Sequence, residues 1–288
     1  MGEDKIMAYL LSGFADEYSA NFQEQLEGFQ KLGINYLELR FADGVNVADL
    51  TNAQVQTIKN KLQQANIKVS AIGSPIGKIK LCDDFETHLK QAERVFEIAK
   101  TLDCDKIRMF SFYIENRTKQ ECKTEVIEKL KMLIETARRY EVVLCHENEA
   151  GIYGDSPESC LELFNAFKGE LRGVFDMGNF RLCGFEPIDA YRLLKEYIEY
   201  FHIKDATLSG EIVPPGEGDA QIKEILKMHG GPKDVFVSLE PHLVQFTGLS
   251  KLASHQLMQK YNFETSQQAF TYATNGIKNI LKAGIYEN

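Results

Sequence analysis

Along this chain, short apolar runs alternate with longer stretches in which apolar residues recur every three or four positions. The runs are IMAYLLSGF (6–14), INYLELR (34–40), IKVSAIG (67–73), KIRMFSF (106–112), VVLCHE (142–147), LRGVFD (171–176), YFHIKD (200–205) and DVFVSLE (234–240). Each is bounded by turn or polar residues, the pattern of strands buried on both faces. Between them FQEQLEGFQKLG, NAQVQTIKNKLQQAN, FETHLKQAERVFEIAKTL and TEVIEKLKMLIETARRY set charges opposite an apolar stripe, which predicts surface-packed helices. Gly33 supplies a C-terminal cap for the first, and SPES (156–159) starts a later helix with Pro157 in its first turn.

Alternation of strand and helix implies a parallel sheet, and eight repeats imply a closed (β/α)8 TIM barrel. A doubly wound open sheet is the rival architecture. No GxGxxG follows the first run, which removes its dinucleotide-binding form. No linker, charge block or low-complexity tract divides the chain, so residues 1–288 are predicted to form a single domain.

Four polar residues stand where predicted strands end: Glu147 in VVLCHENE, Asp176 in RGVFDMGNF, His202 in EYFHIKDA and Glu240 in DVFVSLEPHL. Three oxygen donors and one imidazole suit a hard or borderline divalent metal. In a parallel barrel the chemistry sits at the carboxyl ends of the strands, and these four would come from the fifth to the eighth, one contiguous half of the wall. Singly, each has a plainer reading. Glu147 could be a solvated strand-end acid with Glu149 the ligand, Asp176 a helix cap, and His202 a satisfied core histidine; together they favour a metal centre. His146 should point to the opposite face by strand alternation.

Glu38, Arg40, Lys78, Arg108 and Lys204 fall near the same predicted end. They are candidate substrate contacts, with ion-paired or ligand-orienting roles as the alternative. Phe110, Phe112 and Tyr113 wall a pocket or pack in the core, and PPGEGD shapes a loop near the mouth. The long stretch after Glu240, PHLVQFTGLSKLASHQLMQKYNFET, is read as a lid or a subunit contact.

Composition narrows the field. Hydrophobic residues at 44% and charged residues at 26% are ordinary for a globular protein, and a formal charge of −9 argues against nucleic acid as partner. Six scattered cysteines without a CxxC pair fit a reducing compartment. No run approaches the roughly 18 apolar residues that span a bilayer. The start MGEDKIMAYLLSGFADE reads as a first strand rather than a signal peptide, so a cytoplasmic protein is expected.

At these motifs the chain resembles the xylose-isomerase-like barrel superfamily of sugar and sugar phosphate isomerases and epimerases, of which endonuclease IV is a distant relation. The resemblance runs from LSGFADE and YLELR through SPIGK, RMFSFY, HENE, FDMGNF, HIKD and PPGEGD to SLEPHL. It implies one divalent ion (manganese, cobalt, magnesium or zinc) held by Glu147, Asp176, His202 and Glu240. It also implies an epimerase mechanism in which two glutamates, here Glu147 and Glu240, remove and return a proton next to a carbonyl through an enediolate. Asn179, a further candidate substrate contact, stands where endonuclease IV and several epimerases carry histidine. With only six histidines, too few ligands remain for a three-zinc nuclease centre. The expected function is therefore a metal-dependent isomerase or epimerase of a small carbohydrate. A hydrolase or dehydratase on the same metal, or a non-catalytic sugar-binding barrel, is the alternative. Family members are often dimers or tetramers, so a homo-oligomer fits, but no interface is legible.

Overall fold

All eight apolar runs enter one parallel sheet in the computed structural model, which describes residues 8–230, 233–244, 258–259 and 261–285. The strands are β1 (Tyr9–Gly13), β2 (Tyr36–Leu39), β3 (Lys68–Gly73), β4 (Lys106–Met109), β5 (Val143–Glu147), β6 (Leu171–Asp176), β7 (Ile198–Ile203) and β8 (Val235–Leu239). Hydrogen bonding runs in the order β1-β8-β7-β6-β5-β4-β3-β2, and β1 packs beside β2 to bring the ring nearly closed. This is the (β/α)8 barrel expected from the alternation.

Nine α-helices lie among the described residues. They are α1 (Phe22–Lys31), α2 (Asn52–Ala65), α3 (Phe85–Thr101), α4 (Lys119–Arg139), α5 (Pro157–Ala166), α6 (Met177–Leu182), α7 (Pro187–Leu194), α8 (Ile222–Met228) and α9 (Ser266–Ile285). Local chemistry places their starts. Thr51 with Gln54 and Thr118 with Glu121 form capping boxes for α2 and α4, and Ser156 caps α5 ahead of Pro157. The main apolar core fills the layer between helices and sheet. A small cluster of Ala71, Cys145, Val174 and Tyr200 forms a separate plug, from strand positions that face the barrel interior. Among the described residues no helix is long and apolar enough to cross a membrane.

Three elements depart from the pattern. KIRMFSF stops being strand at Met109: Phe110 and Phe112 turn aside to donate backbone bonds to Ile76 and Gly77, and Phe112 takes a φ of 68°. YFHIKD stops at Ile203 because Asp205 joins an antiparallel pairing with Val213 instead. The short helix α6, absent from the sequence reading, begins directly at Asp176.

Asp205 organises the loop that contains PPGEGD. Its carboxylate accepts N–H bonds from Ala206 (2.9 Å), Gly216 (2.8 Å), Gly218 (3.1 Å) and Ala220 (3.1 Å). A Cβ on Gly218 would lie 2.3 Å from Asp205 Oδ1, so only glycine lets the chain wrap this closely. Asp205→Ala leaves several buried donors unmatched and is expected to cost about 3 kcal/mol, read as a lowered urea midpoint at unchanged slope.

Candidate metal centre

Strand alternation turns every second side chain into the barrel. Glu147 closes β5, Asp176 closes β6, His202 is the penultimate residue of β7, and Glu240 immediately follows β8. In register, Asp176 lies opposite His202, Glu147 lies opposite Val174 two residues before Asp176, and Glu240 stands two residues beyond Ser238, the partner of His202, so all four fall at or just past the carboxyl ends of neighbouring strands. One donor atom from each comes within 4.8 Å of the others, and none of the four residues is more than 3% exposed.

Each of the four is held by its own partners. His202 Nδ1 lies 3.1 Å from Glu147 Oε1 and 3.4 Å from Glu240 Oε2, while Nε2 lies 3.1 Å from Glu38 Oε2. Glu38, fixed by the Tyr200 hydroxyl at 2.9 Å, thus orients the ring and leaves Nδ1 facing the carboxylates. Burial works against a charged ring, but Glu38 and Glu147 outweigh it and hold the His202 pKa well above its usual value. Glu147 Oε1 accepts from Asn179 Nδ2 at 3.3 Å. Its Oε2 lies 3.2 Å from Arg108 Nη1 without the geometry of a hydrogen bond, and accepts none. Burial would raise the Glu147 pKa, yet His202 and Arg108 bring it down to about 2.

Asp176 divides its oxygens: Oδ1 caps α6 by accepting the Asn179 N–H at 2.7 Å, and Oδ2 accepts from Lys204 at 3.0 Å. Asn148 grips its backbone on both sides, at 3.0 Å each way. Burial pushes the Asp176 carboxyl up to about 6 against the pull of Lys204, with Glu147 and Glu240 adding to the rise. Glu240 Oε1 accepts from Arg40 at 2.6 Å and Oε2 from Lys204 at 3.2 Å. Burial opposes its charge, but Lys204 and His242 keep it well below the usual carboxylate range.

This donor set fits a divalent ion. Three carboxylates and one imidazole nitrogen are crowded together, one buried carboxylate oxygen accepts no hydrogen bond, and Asp176 is driven toward neutrality. Glu147, Asp176, His202 Nδ1 and Glu240 would hold the ion, and the chemistry of these oxygen and imidazole donors suits a divalent metal.

The other residues singled out in the sequence surround this centre. Arg40, 1% exposed, pairs with Asp16 (3.0 Å) and Glu17 (3.2 Å) as well as with Glu240. Arg108 lies between Glu147 and, at 3.9 Å, Glu240. Lys78 pairs with Glu149 at 2.8 Å and sits over the Phe110 ring, so Glu149 stands apart from the carboxylate cluster. Phe110 and Phe112 are fully buried. His146 turns away from the barrel interior, 2.9 Å from Ser111 Oγ and edge-on to Phe164. Of the stretch after Glu240, residues 245–257 and 260 lie outside the described residues.

Sequence reasoning missed Asn148, Tyr200 and the tie from Glu38 to His202, and it left Asp16 and Glu17 unassigned. Inward parity on β2 was available as a signal for Glu38 and Arg40. Their partners, His202 and Glu240, lie 164 and 200 residues away in sequence, a separation that parity cannot bridge.

A (β/α)8 barrel with an acidic, histidine-containing centre at its carboxyl ends is the class of molecule these features define. The chain belongs to the xylose isomerase-like TIM barrel family, whose model matches residues 26–244. It is similar to the 3-dehydroshikimate dehydratase of Bacillus anthracis, 21% identical over 197 residues that make up 68% of this chain and 67% of that protein. A crystal structure of the IOLI protein with a bound zinc atom superposes with a TM-score of 0.74 at 20% identity, covering 96% of this chain and 99% of that one. D-psicose 3-epimerase from Clostridium cellulolyticum, solved with D-tagatose, gives a TM-score of 0.70 at 14% identity over 94% of this chain and 99% of that one.

Proposed function

We propose that this protein is a divalent-metal-dependent isomerase or epimerase of a small carbohydrate, moving a proton on the carbon next to a carbonyl through an enediolate. The observation that carries this is the pair of buried glutamates, Glu147 and Glu240, set 3.1 and 3.4 Å from the same nitrogen of His202 and both held ionised by neighbouring cations. When bound, the ion would supply polarisation of the substrate's carbonyl and adjacent hydroxyl oxygens, which acidifies the hydroxyl-bearing carbon next to the carbonyl. One glutamate takes the proton and the other returns it on the opposite face. Arg40 fixes Glu240 in place, and Asn179 and Arg108 flank Glu147, so neither base has to be ordered during the reaction. Similarity to a D-psicose 3-epimerase supports the reading.

Similarity to a 3-dehydroshikimate dehydratase favours one other reading. There the same abstraction breaks the C–H bond, and the β C–O bond then breaks from the enolate, the departing hydroxyl taking the abstracted proton from a glutamate to leave as water instead of that proton returning to carbon. Incubation with manganese and a panel of ketoses, ketose phosphates and β-hydroxy ketones separates the two by product mass. An epimer of unchanged mass is the expected result, loss of one water would replace the isomerase reading with the dehydratase, and saturable binding without turnover would make this a binding barrel.

A further inference from the structure

Lys204, the first residue after β7, is 4% exposed, and its ammonium is wholly consumed by the centre. Nζ donates to Asp176 Oδ2 (3.0 Å), Asn179 Oδ1 (3.1 Å) and Glu240 Oε2 (3.2 Å), which uses its three donors. Asn179 passes the contact on, its Nδ2 donating to Glu147 Oε1 at 3.3 Å and to the Asn148 carbonyl at 2.9 Å. Lys204 and Asn179 together therefore touch all three carboxylates of the four-residue set. The fold makes room for this lysine. A Cβ on Gly178 would lie 2.8 Å from both Cβ and Cγ of Lys204 and 2.7 Å from its carbonyl oxygen, so the glycine of FDMGNF is where the stem passes.

An ammonium among metal ligands has two physical consequences. Without an ion it neutralises carboxylates that would otherwise repel one another in a buried space. With an ion it is a like charge close by, and it weakens the hold that the same donors would have alone. We infer that Lys204 is a built-in counter-cation, which stands in for the divalent ion in the ion-free protein and keeps the bound ion exchangeable. This rests on the reading that Glu147, Asp176, His202 and Glu240 hold the ion.

The test is manganese(II) affinity, measured by competition with a chelating dye on chelator-treated protein, alongside thermal unfolding with and without manganese. Lys204→Met and Lys204→Gln are expected to bind manganese at least tenfold more tightly than the unaltered protein. Both should unfold at lower temperature when ion-free and recover when manganese is added. Lys204→Arg, which keeps the charge, should stay within a few-fold of the unaltered protein. Should the neutral variants fold only with the ion, the manganese concentration that restores folding becomes the readout, and recovery supports the inference while failure to recover overturns it. Equal or weaker binding by folded neutral variants also overturns it. An unaltered protein that binds no manganese, cobalt, magnesium or zinc would instead bring down the metal reading beneath it, a separate and recognisable result.

Discussion

Glu147→Gln and Glu240→Gln are each expected to lower turnover about 10²–10⁴-fold while leaving the fold in place. Glutamine keeps the volume of the side chain and removes the negative charge that accepts a proton. In Glu147→Gln, Asn179 still has the Asn148 carbonyl to donate to, and His202 keeps Glu38 on its far nitrogen. In Glu240→Gln, Arg40 still has Asp16 and Glu17. Steady-state rates on the accepted sugar, beside urea unfolding curves, separate a chemical from a structural effect. Activity within tenfold of the unaltered protein in either variant would sink the two-base assignment.

The largest expected effect on stability comes from Arg40→Met. Asp16, Glu17 and Glu240 all converge on this guanidinium, which is 1% exposed and lies 4.1 Å from the centroid of the Phe14 ring. Removing one partner of a buried ionic group strands the others without compensation, at a cost of about 3–5 kcal/mol. A domain has roughly 5–15 kcal/mol in all, so urea unfolding should shift strongly or begin without denaturant. Lysine should rescue little, because a point charge cannot serve three carboxylates as a planar fork does. A loss below about 1 kcal/mol, the range of an exposed ion pair, would mean that Arg40 does not hold the wall of the centre together.

The barrel was legible because its evidence is local. Each strand is a run whose two faces are both buried, and each predicted helix carries its stripe within a few turns. Glu147, Asp176, His202 and Glu240 were legible for a related reason: strand ends in a parallel barrel share one face, so four polar ends in succession had to lie near one another. Purely three-dimensional features were not legible. Asp176 proved to be both a helix cap and a member of the cluster, two roles that the sequence set against each other. Arg40 and Glu38 looked alike as polar residues at the end of INYLELR, yet one serves three carboxylates and the other orients a histidine. Lys204 looked like any cation near the mouth until its three acceptors were in view.

Hydrogen exchange at carbon tests the central claim most directly. The protein is incubated with manganese and a panel of ketoses and ketose phosphates in deuterated water, and carbon-bound protons are followed by NMR. Deuterium entering the carbon next to the carbonyl, lost with a chelator and lost in Glu147→Gln, is the expected result. Turnover of any of these sugars without deuterium at that carbon would contradict proton transfer by the two glutamates.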